Sequence, residues 1–481
     1  MPIRTHSERY PMQVTTPLKT SPLSLPEAFV AALQARFGTQ YSDNPSVLEQ
    51  HGRDESPFAT TPPNAVVFAR ATQDVQDAIR LCAQHRVPLI PYGVGSSVEG
   101  QILAIHGGLT LDLSQMNRIL EIHTEDMTVT VQPGVTREQL NHELRDQGFF
   151  FPIDPGANAT LGGMASTSAS GTTAVRYGTM RENVLALQAV DASGELVHTG
   201  TRANKTSAGY DLTHLLVGSE GTLAVFTEIT LRIHPLPEAI MAAICSFPDI
   251  EHAVRSVIEI IQAGIPIARS ELIDAYTVQM VNQYSKIGLA EKPLLLLEFH
   301  GSPTGVQEQV ELVQEIAGQH GGADFEWAST PEARTRLWTA RHHAHFAGLA
   351  KHPGTRSVTT DICVPISRLA EAVTITVKKA DHSGIPYYLV GHVGDGNFHM
   401  GYLVNPDDPK QLARAEALNH DLVHMALDMQ GTCTGEHGIG LHKIDFLEHE
   451  AGPGSIAMMR AIKQALDPLN IMNPGKVLAG A

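Results

Sequence analysis

A chain of 481 residues with 34 Lys and Arg against 51 Asp and Glu carries a formal charge of −17, which argues against a nucleic-acid binder and its basic stripe. That length asks for two or three domains, and 42% hydrophobic with 18% charged residues is ordinary for a folded globular protein. Cys82, Cys245, Cys363 and Cys433 form no CxxC pair, which speaks against an iron–sulfur cluster, a zinc ribbon or a bound haem and favours reduced thiols in a cytoplasmic protein. No stretch reaches the roughly 20 apolar residues that span a bilayer, so no transmembrane segment is expected and any membrane contact would be peripheral, at the inner face. The first residues, polar and punctuated by proline, read as a lead-in without a signal core.

Strand and helix patterns alternate from Ala65 onward. Ala65–Ala69 reads as a strand and Thr72 as a helix cap; Val75, Ala78, Ile79 and Cys82 then fall at i, i+3, i+4 and i+7, one apolar helix face. Pro88–Tyr92 is a second strand that runs into PYGVGSSVEG. Leu109–Leu113 alternates like a half-buried strand, as does Met127–Val131 before Pro133-Gly134. Residues 154–178 are dominated by Gly, Ala, Ser and Thr, and residues 205–237 add a glycine turn, a β-rich stretch and a proline stop. Beyond Pro237, helices over Asp249–Ala263 and Gly305–Gln319 alternate with strands over Ala242–Phe247, Leu294–His300 and Tyr387–His392. From Gly431 the chain reads as mostly helical.

Two patterns carry chemistry. The glycine runs at 93–100, 133–134, 155–171 and 218–222 suit backbone that must lie close to a large planar, pyrophosphate-bearing cofactor, because Gly permits unusual dihedrals and successive N–H groups form anion nests. The first run is neither a Rossmann GxGxxG nor a Walker loop. In GHVGDGNFHMGYLV, Asp395-Gly396 is a favoured two-residue hairpin turn. It would set His392 directly opposite His399, close enough to grip one metal ion. In GTCTGEHGIG, glycines flank Glu436-His437 and argue for a close-packed loop. A Glu with two His leaves open positions on zinc or manganese; alternatively Glu436 and His437 pair with each other or with an arginine.

PYGVGSSVEG, the Pro133-Gly134 pair, DPGANATLGGMASTSASGTTAVRYGTMRENV and KTSAGYDLTHLLVGSEGTLAVFTEITLRI together resemble the FAD domain of the vanillyl-alcohol-oxidase/PCMH flavoprotein superfamily. The likeness is strongest to its FAD-linked D-lactate dehydrogenase and glycolate oxidase branch, and covers residues 50–478. It implies an α+β fold: a PCMH-type FAD-binding domain of two α+β subdomains over 58–237, an α+β substrate domain with an antiparallel sheet over 238–430, and a helical segment over 431–481 that returns to the FAD domain, with 1–57 as an N-terminal lead-in and helical segment. It also implies pyrophosphate contacts at Gly93, Gly95, Ser96 and Ser97, with Pro91 and Gly100 also in the cofactor site. Further flavin and adenine contacts follow at Pro155, Thr160, Gly162, Gly163, Ser168, Gly171, Tyr177, Gly178, Glu220, Gly221, Ile229 and Asn473. No His lies within residues 91–100, where some relatives attach the flavin covalently, so noncovalent FAD is expected.

Carried over position by position, His392, His399 and Glu436 become ligands of a divalent metal (Zn or Mn), His437 the general base, and Arg341 the clamp on the substrate carboxylate. The reaction implied is oxidation of a small D-2-hydroxy acid, D-lactate above glycolate, with hydride passing to flavin N5 and electrons on to a quinone, cytochrome or flavoprotein acceptor. Thr360 stands before Asp361 where relatives acting on dicarboxylates carry lysine, which favours a monocarboxylate. A glycolate oxidase subunit within a multi-chain complex is the near alternative; a metal-dependent hydrolase and a flavin-bearing scaffold are remote ones. The oligomeric state, a homodimer among the options, is not legible.

Overall fold

The computed structural model describes residues 24–480; residues 1–23 of the lead-in lie outside them, and the helices Glu27–Phe37 and Pro45–Gln50 follow. Three larger sheets organise the described residues, beside a two-stranded pairing of Phe149–Phe150 with His234–Pro235. The first runs Tyr41–Ser42, Ala65–Phe68, Leu109–Asp112, Leu89–Tyr92, with the last three strands parallel. The helix Thr72–His85 covers it through Val75, Ala78, Ile79 and Cys82, all fully buried, as their spacing requires. Two details differ from the sequence reading. The helix is capped at Ala71 with no side-chain bond; instead of capping, Thr72 turns its hydroxyl to Gln188 at 3.3 Å while Asp74 takes the Arg70 N–H at 2.9 Å. Leu109–Asp112 is buried along its whole length, because it is the central strand with parallel partners on both sides.

The second sheet, Ile119–His123, Thr128–Val131, Ala224–Arg232, Val184–Asp191 and Leu196–Gly200, is antiparallel. The helices Arg137–Arg145 and Leu161–Thr167 place Leu140, Leu144, Leu161, Met164 and Ala165 in its core.

The third sheet has eight strands and positions the metal-ligand candidates. Its path runs Ala323–Ala328, Ala239–Ser246, Leu294–Gly301, Ile267–Ile273, Tyr387–His392, Asn397–Val404 and Arg356–Thr359, with Ile362–Cys363 also on Asn397–Val404. Alternate side chains go to opposite cores. Leu389, Phe398, Met400 and Tyr402 pack with Leu369, Val373, Leu422 and Val423 on one side, while Tyr388 and Val390 pack with Trp338, Ala344 and Ala347 on the other.

The hairpin register departs from expectation. His392 pairs with Asn397, and His399 with Val390. The loop holds four residues, Val393–Gly396, because Val393 leaves the ladder: its N–H bonds Ser270 O at 3.0 Å, its side chain is fully buried, and the Asp395 N–H closes the turn onto His392 O at 3.0 Å. The shift is two residues. An even shift preserves the face, so His392 and His399 remain on one side as diagonal neighbours, with ring centroids 5.4 Å apart. Gly396 turns at φ +82°, where a side chain would strike the Val364 carbonyl.

The long helix Ile444–Leu466 breaks at Gly452-Pro453. The chain then returns to the first sheet: Met472 bridges Leu89 in parallel, with Leu89 N–H to Ile471 O at 2.7 Å and Asn473 N–H to Leu89 O at 2.8 Å.

Candidate active site

The four glycine runs, up to 129 residues apart in sequence, converge. The Gly162 N–H bonds Pro133 O at 2.8 Å, Gly218 N–H bonds Ala165 O at 2.9 Å, and Glu220 N–H bonds Ser166 O at 2.8 Å. Gly93 lies so near Thr160, and Gly221 so near Pro91, that a Cβ on either glycine would collide with its neighbour. Asp54 braces the first run, taking the Ser97 hydroxyl and the Gly100 N–H, each at 3.1 Å. Asn473 ties first to last, its Nδ2 donating to Gln101 O at 3.0 Å and Glu220 O at 2.8 Å. Ser168, Glu220 and Asn473 hold positive φ, as Gly95, Gly100, Gly178 and Gly221 do, a density of left-handed residues suited to a nest for an anion. Gly171 backs onto Asp154 beside Pro155, and Gly163 lies by Thr160. This cradle fits a pyrophosphate-bearing flavin. Ile229 is fully buried in the second core, and the Tyr177 hydroxyl meets His300 Nδ1 at 2.8 Å, joining the helix Ala174–Tyr177 to the eight-stranded sheet.

His392, His399 and Glu436 meet as a triad whose ligand atoms all lie within 4.8 Å of one another. Glu436 Oε1 is 3.6 Å from His392 Nε2 and 3.2 Å from His399 Nε2. His399 Nε2 is buried beside the Glu436 carboxylate but makes no well-aligned hydrogen bond among the described residues, a state that a cation between them would relieve. Both rings are oriented from behind, His392 Nδ1 by Glu271 Oε1 at 2.5 Å and His399 Nδ1 by Thr360 O at 3.1 Å, the outer-shell arrangement of metal-bound histidines. Burial opposes charge on His392, yet Glu271 and Glu436 raise its pKa well above the usual range; burial likewise opposes charge on Glu436, yet His392 and His399 hold its carboxyl well below. The donor set fits a Zn or Mn ion. A second cluster, Asp361, His399 and His437, fits one poorly, because Asp361 is already saturated.

That saturation shapes the loop. Asp361 Oδ2 accepts the Thr434 hydroxyl at 2.8 Å, the N–H groups of Gly435, Glu436 and His437 at 2.9, 3.1 and 3.0 Å, and Lys443 Nζ at 3.2 Å. Oδ1 takes Asn397 Nδ2 at 2.9 Å. One carboxylate thus folds GTCTGEHG around itself and ties it to the hairpin that carries His392 and His399. Glu220 does the same one step on, accepting Ile439 and Gly440 N–H at 2.6 and 2.8 Å. The His437 ring stacks on His399 with centroids 5.2 Å apart and planes 10° from parallel, and its Nδ1 lies 3.3 Å from Glu99 Oε1. Burial opposes its protonation, but Asp361 and Glu99 raise the His437 pKa above the usual imidazole value. Burial also opposes charge on Glu99, which Lys443, His437 and His442 hold far below the usual carboxyl range.

Arg341 sits near the end of the helix Pro331–His342. Its Nε donates to Glu271 Oε2 at 2.6 Å, and its terminal nitrogens make no hydrogen bond among the described residues. Glu271 therefore bridges Arg341 to His392. Glu271, Asp361, Glu99 and Glu220 were not singled out from the sequence as a holding set. A charged residue inside the strand-like IARSELI, and an acid inside the glycine-rich VEG and SEG turns, were the signals present.

His442, buried between Glu99 and Glu416 at 2.8 and 3.4 Å, yields a pH prediction. Burial opposes its charge, but the two carboxylates raise its pKa from 6.5 to about 10. Between those values the folded state keeps a proton that the unfolded chain has lost, so this contribution is complete below 6.5 and declines as pH rises towards 10. Urea-unfolding midpoints measured across that range should fall with pH in the wild type and fall less steeply in His442→Gln; equal slopes would remove His442 from the account.

Among the described residues no helix is long and apolar enough to cross a membrane. Residues 63–200 match the family described as FAD binding domain, and residues 236–477 match FAD linked oxidases, C-terminal domain. The chain is 49% identical over 436 residues to a Danio rerio protein named probable D-lactate dehydrogenase, mitochondrial, covering 90% of this chain and 88% of that one. An Arabidopsis thaliana D-lactate dehydrogenase (cytochrome), mitochondrial, is 44% identical over 89% of this chain and 76% of its own. The Bacillus subtilis glycolate oxidase subunit GlcD is 35% identical, over 89% and 91%. Among solved structures, p-cresol methylhydroxylase with substrate bound superposes with a TM-score of 0.78 at 18% identity, over 95% of this chain and 98% of that one, which shows the PCMH-type fold. The chain therefore belongs to the FAD-linked oxidases, an FAD-dependent oxidoreductase of the family that holds the D-lactate dehydrogenases and the glycolate oxidase subunit.

Proposed function

We propose that the protein oxidises D-lactate, or a D-2-hydroxy acid of similar size, to the 2-oxo acid. The observation that carries this reading is the His392–His399–Glu436 triad with His437 stacked beside it and Arg341 linked to it through Glu271. The relatives at 44–49% identity bear the D-lactate name, which supports lactate above glycolate, and Thr360 ahead of Asp361 suits a monocarboxylate. The cytochrome in the second relative's name supports a cytochrome as electron acceptor.

Bound FAD supplies the two-electron acceptor for the Cα hydride, and a divalent ion held by His392, His399 and Glu436 supplies positive charge beside the substrate hydroxyl. The chain's residues do the rest. His437 takes the hydroxyl proton; Asp361 fixes the backbone that carries it. Arg341 offers its two terminal nitrogens to the carboxylate as a fork, pre-oriented because its Nε is pinned to Glu271. Glu271 serves both ends of the site, so the clamp and one metal ligand share a single support.

An anaerobic visible spectrum before and after D-lactate tests the reading. Bleaching of the flavin band by D-lactate, weaker with glycolate and absent with L-lactate, is the expected result; a yellow protein that no 2-hydroxy acid bleaches would discard the substrate class. Replacing Arg341 by alanine removes a charge-assisted fork worth about 3 kcal/mol, roughly 100-fold in the KM for D-lactate. Steady-state kinetics returning an unchanged KM would assign the carboxylate to another cation.

A further inference from the structure

The side chain that faces the back of His437 comes from the far end of the sequence. Glu99 stands next to last in the first glycine run, 338 residues before His437, and is 2% exposed. It cannot swing. Its carbonyl accepts the Leu441 N–H at 2.8 Å and its N–H donates to Gln101 Oε1 at 3.1 Å, while Gln101 Nε2 donates to the His437 carbonyl at 2.8 Å. Gly440 is pressed so close to the Glu99 carbonyl that no side chain fits there. The carboxylate itself is fully engaged: Oε1 lies 3.3 Å from His437 Nδ1 and 3.2 Å from Lys443 Nζ, and Oε2 lies 2.8 Å from His442 Nδ1.

His437 is held at three of its four polar atoms. Its N–H goes to Asp361, its carbonyl to Gln101 and its Nδ1 to Glu99, while Nε2 makes no hydrogen bond among the described residues. A neutral imidazole is a base at only one nitrogen, and a carboxylate at Nδ1 keeps the proton there and the lone pair on Nε2. Lys443 links the two supports: it touches Glu99 Oε1 and Asp361 Oδ2, each at 3.2 Å. The side chain and the main chain of His437 are thus fixed by two carboxylates that share one buried cation.

We propose that Glu99 is the positioning residue of His437, selecting the tautomer protonated on Nδ1 and keeping Nε2 turned to the substrate hydroxyl. The assignment rests on His437 being the base. It gives the first glycine run two tasks, a wall of the cofactor cradle and the orientation of the proton acceptor.

The test is single-turnover flavin reduction by D-lactate, followed anaerobically in the FAD- and metal-loaded protein. It compares wild type, Glu99→Gln, His437→Gln and the double variant, with flavin spectrum and metal content recorded for each. Glu99→Gln is expected to slow reduction about 10- to 100-fold, the scale of losing an orienting carboxylate, with the Kd for D-lactate, FAD and metal unchanged. The double variant is expected to be no slower than His437→Gln alone, since Glu99 acts only through that ring. A wild-type rate in Glu99→Gln, or losses that multiply in the double variant, overturns the proposal; the latter would mark a structural role independent of His437. A wild-type rate in His437→Gln removes the base itself, a failure distinct from that of Glu99. Should Glu99→Gln not retain FAD, Glu99→Asp keeps the charge beside Lys443 and withdraws it by one methylene. A slowed rate with an intact flavin spectrum then supports the proposal, and an unaltered rate overturns it.

Discussion

His392→Ala is expected to yield a yellow protein without the active-site metal and with D-lactate turnover reduced by at least about 100-fold. The FAD should stay, because the cradle is built from the glycine runs around the first two sheets, whereas His392 lies on the third sheet against Glu271, Glu436 and His399. The metal should leave for two reasons. One of three ligands is gone, and the buried Glu271, which orients His392 at 2.5 Å and Arg341 at 2.6 Å, loses one of its two cationic partners. Metal analysis, the flavin spectrum and dye reduction with D-lactate check the three parts separately. A metal-loaded variant turning over at the wild-type rate would strip the triad of its role. Loss of FAD along with the metal would mean that the two sites fold as one.

His437→Gln is expected to keep both metal and FAD and to slow anaerobic flavin reduction by about 10²- to 10⁴-fold. The metal should remain because His437 is not among the three atoms that converge on it, and the loop that carries Glu436 is held by main-chain N–H groups to Asp361. Glutamine keeps a polar group near Glu99 but takes up no proton. If stopped-flow traces overlay those of the wild type, the proton goes elsewhere. Were the metal lost instead, the stacking of His437 on His399 would be what keeps that ligand in place.

Much of this site was legible in the residues. Glycine runs announce themselves by composition, and the structure brings all four together. The two histidines of the hairpin share a face in any register shifted by an even number, so their conjunction survived the error in pairing. That error arose because Val393, read as one more ladder position, is drawn away by Ser270 of the neighbouring strand, a long-range contact with no local signature. The Thr72 cap failed for a similar reason, its hydroxyl being claimed by Gln188. Asp361 and Glu271 were hidden more deeply. A carboxylate that accepts three successive N–H groups is visible only once the loop around it has formed, and a glutamate within IARSELI looks like a half-buried strand residue until Arg341 and His392 close on it.

The bridge between Leu89 and Met472 bears on how the protein is made. The first glycine run emerges from the ribosome early, yet Asn473, which joins that run to Glu220, follows some 370 residues later. At the 5–20 residues per second of synthesis, the nascent chain waits on the order of twenty seconds to a minute or more with an unfinished cradle. The cradle is then closed only after Asn473 has been made, and until that point the glycine loops lack the contacts that join the first run to the last.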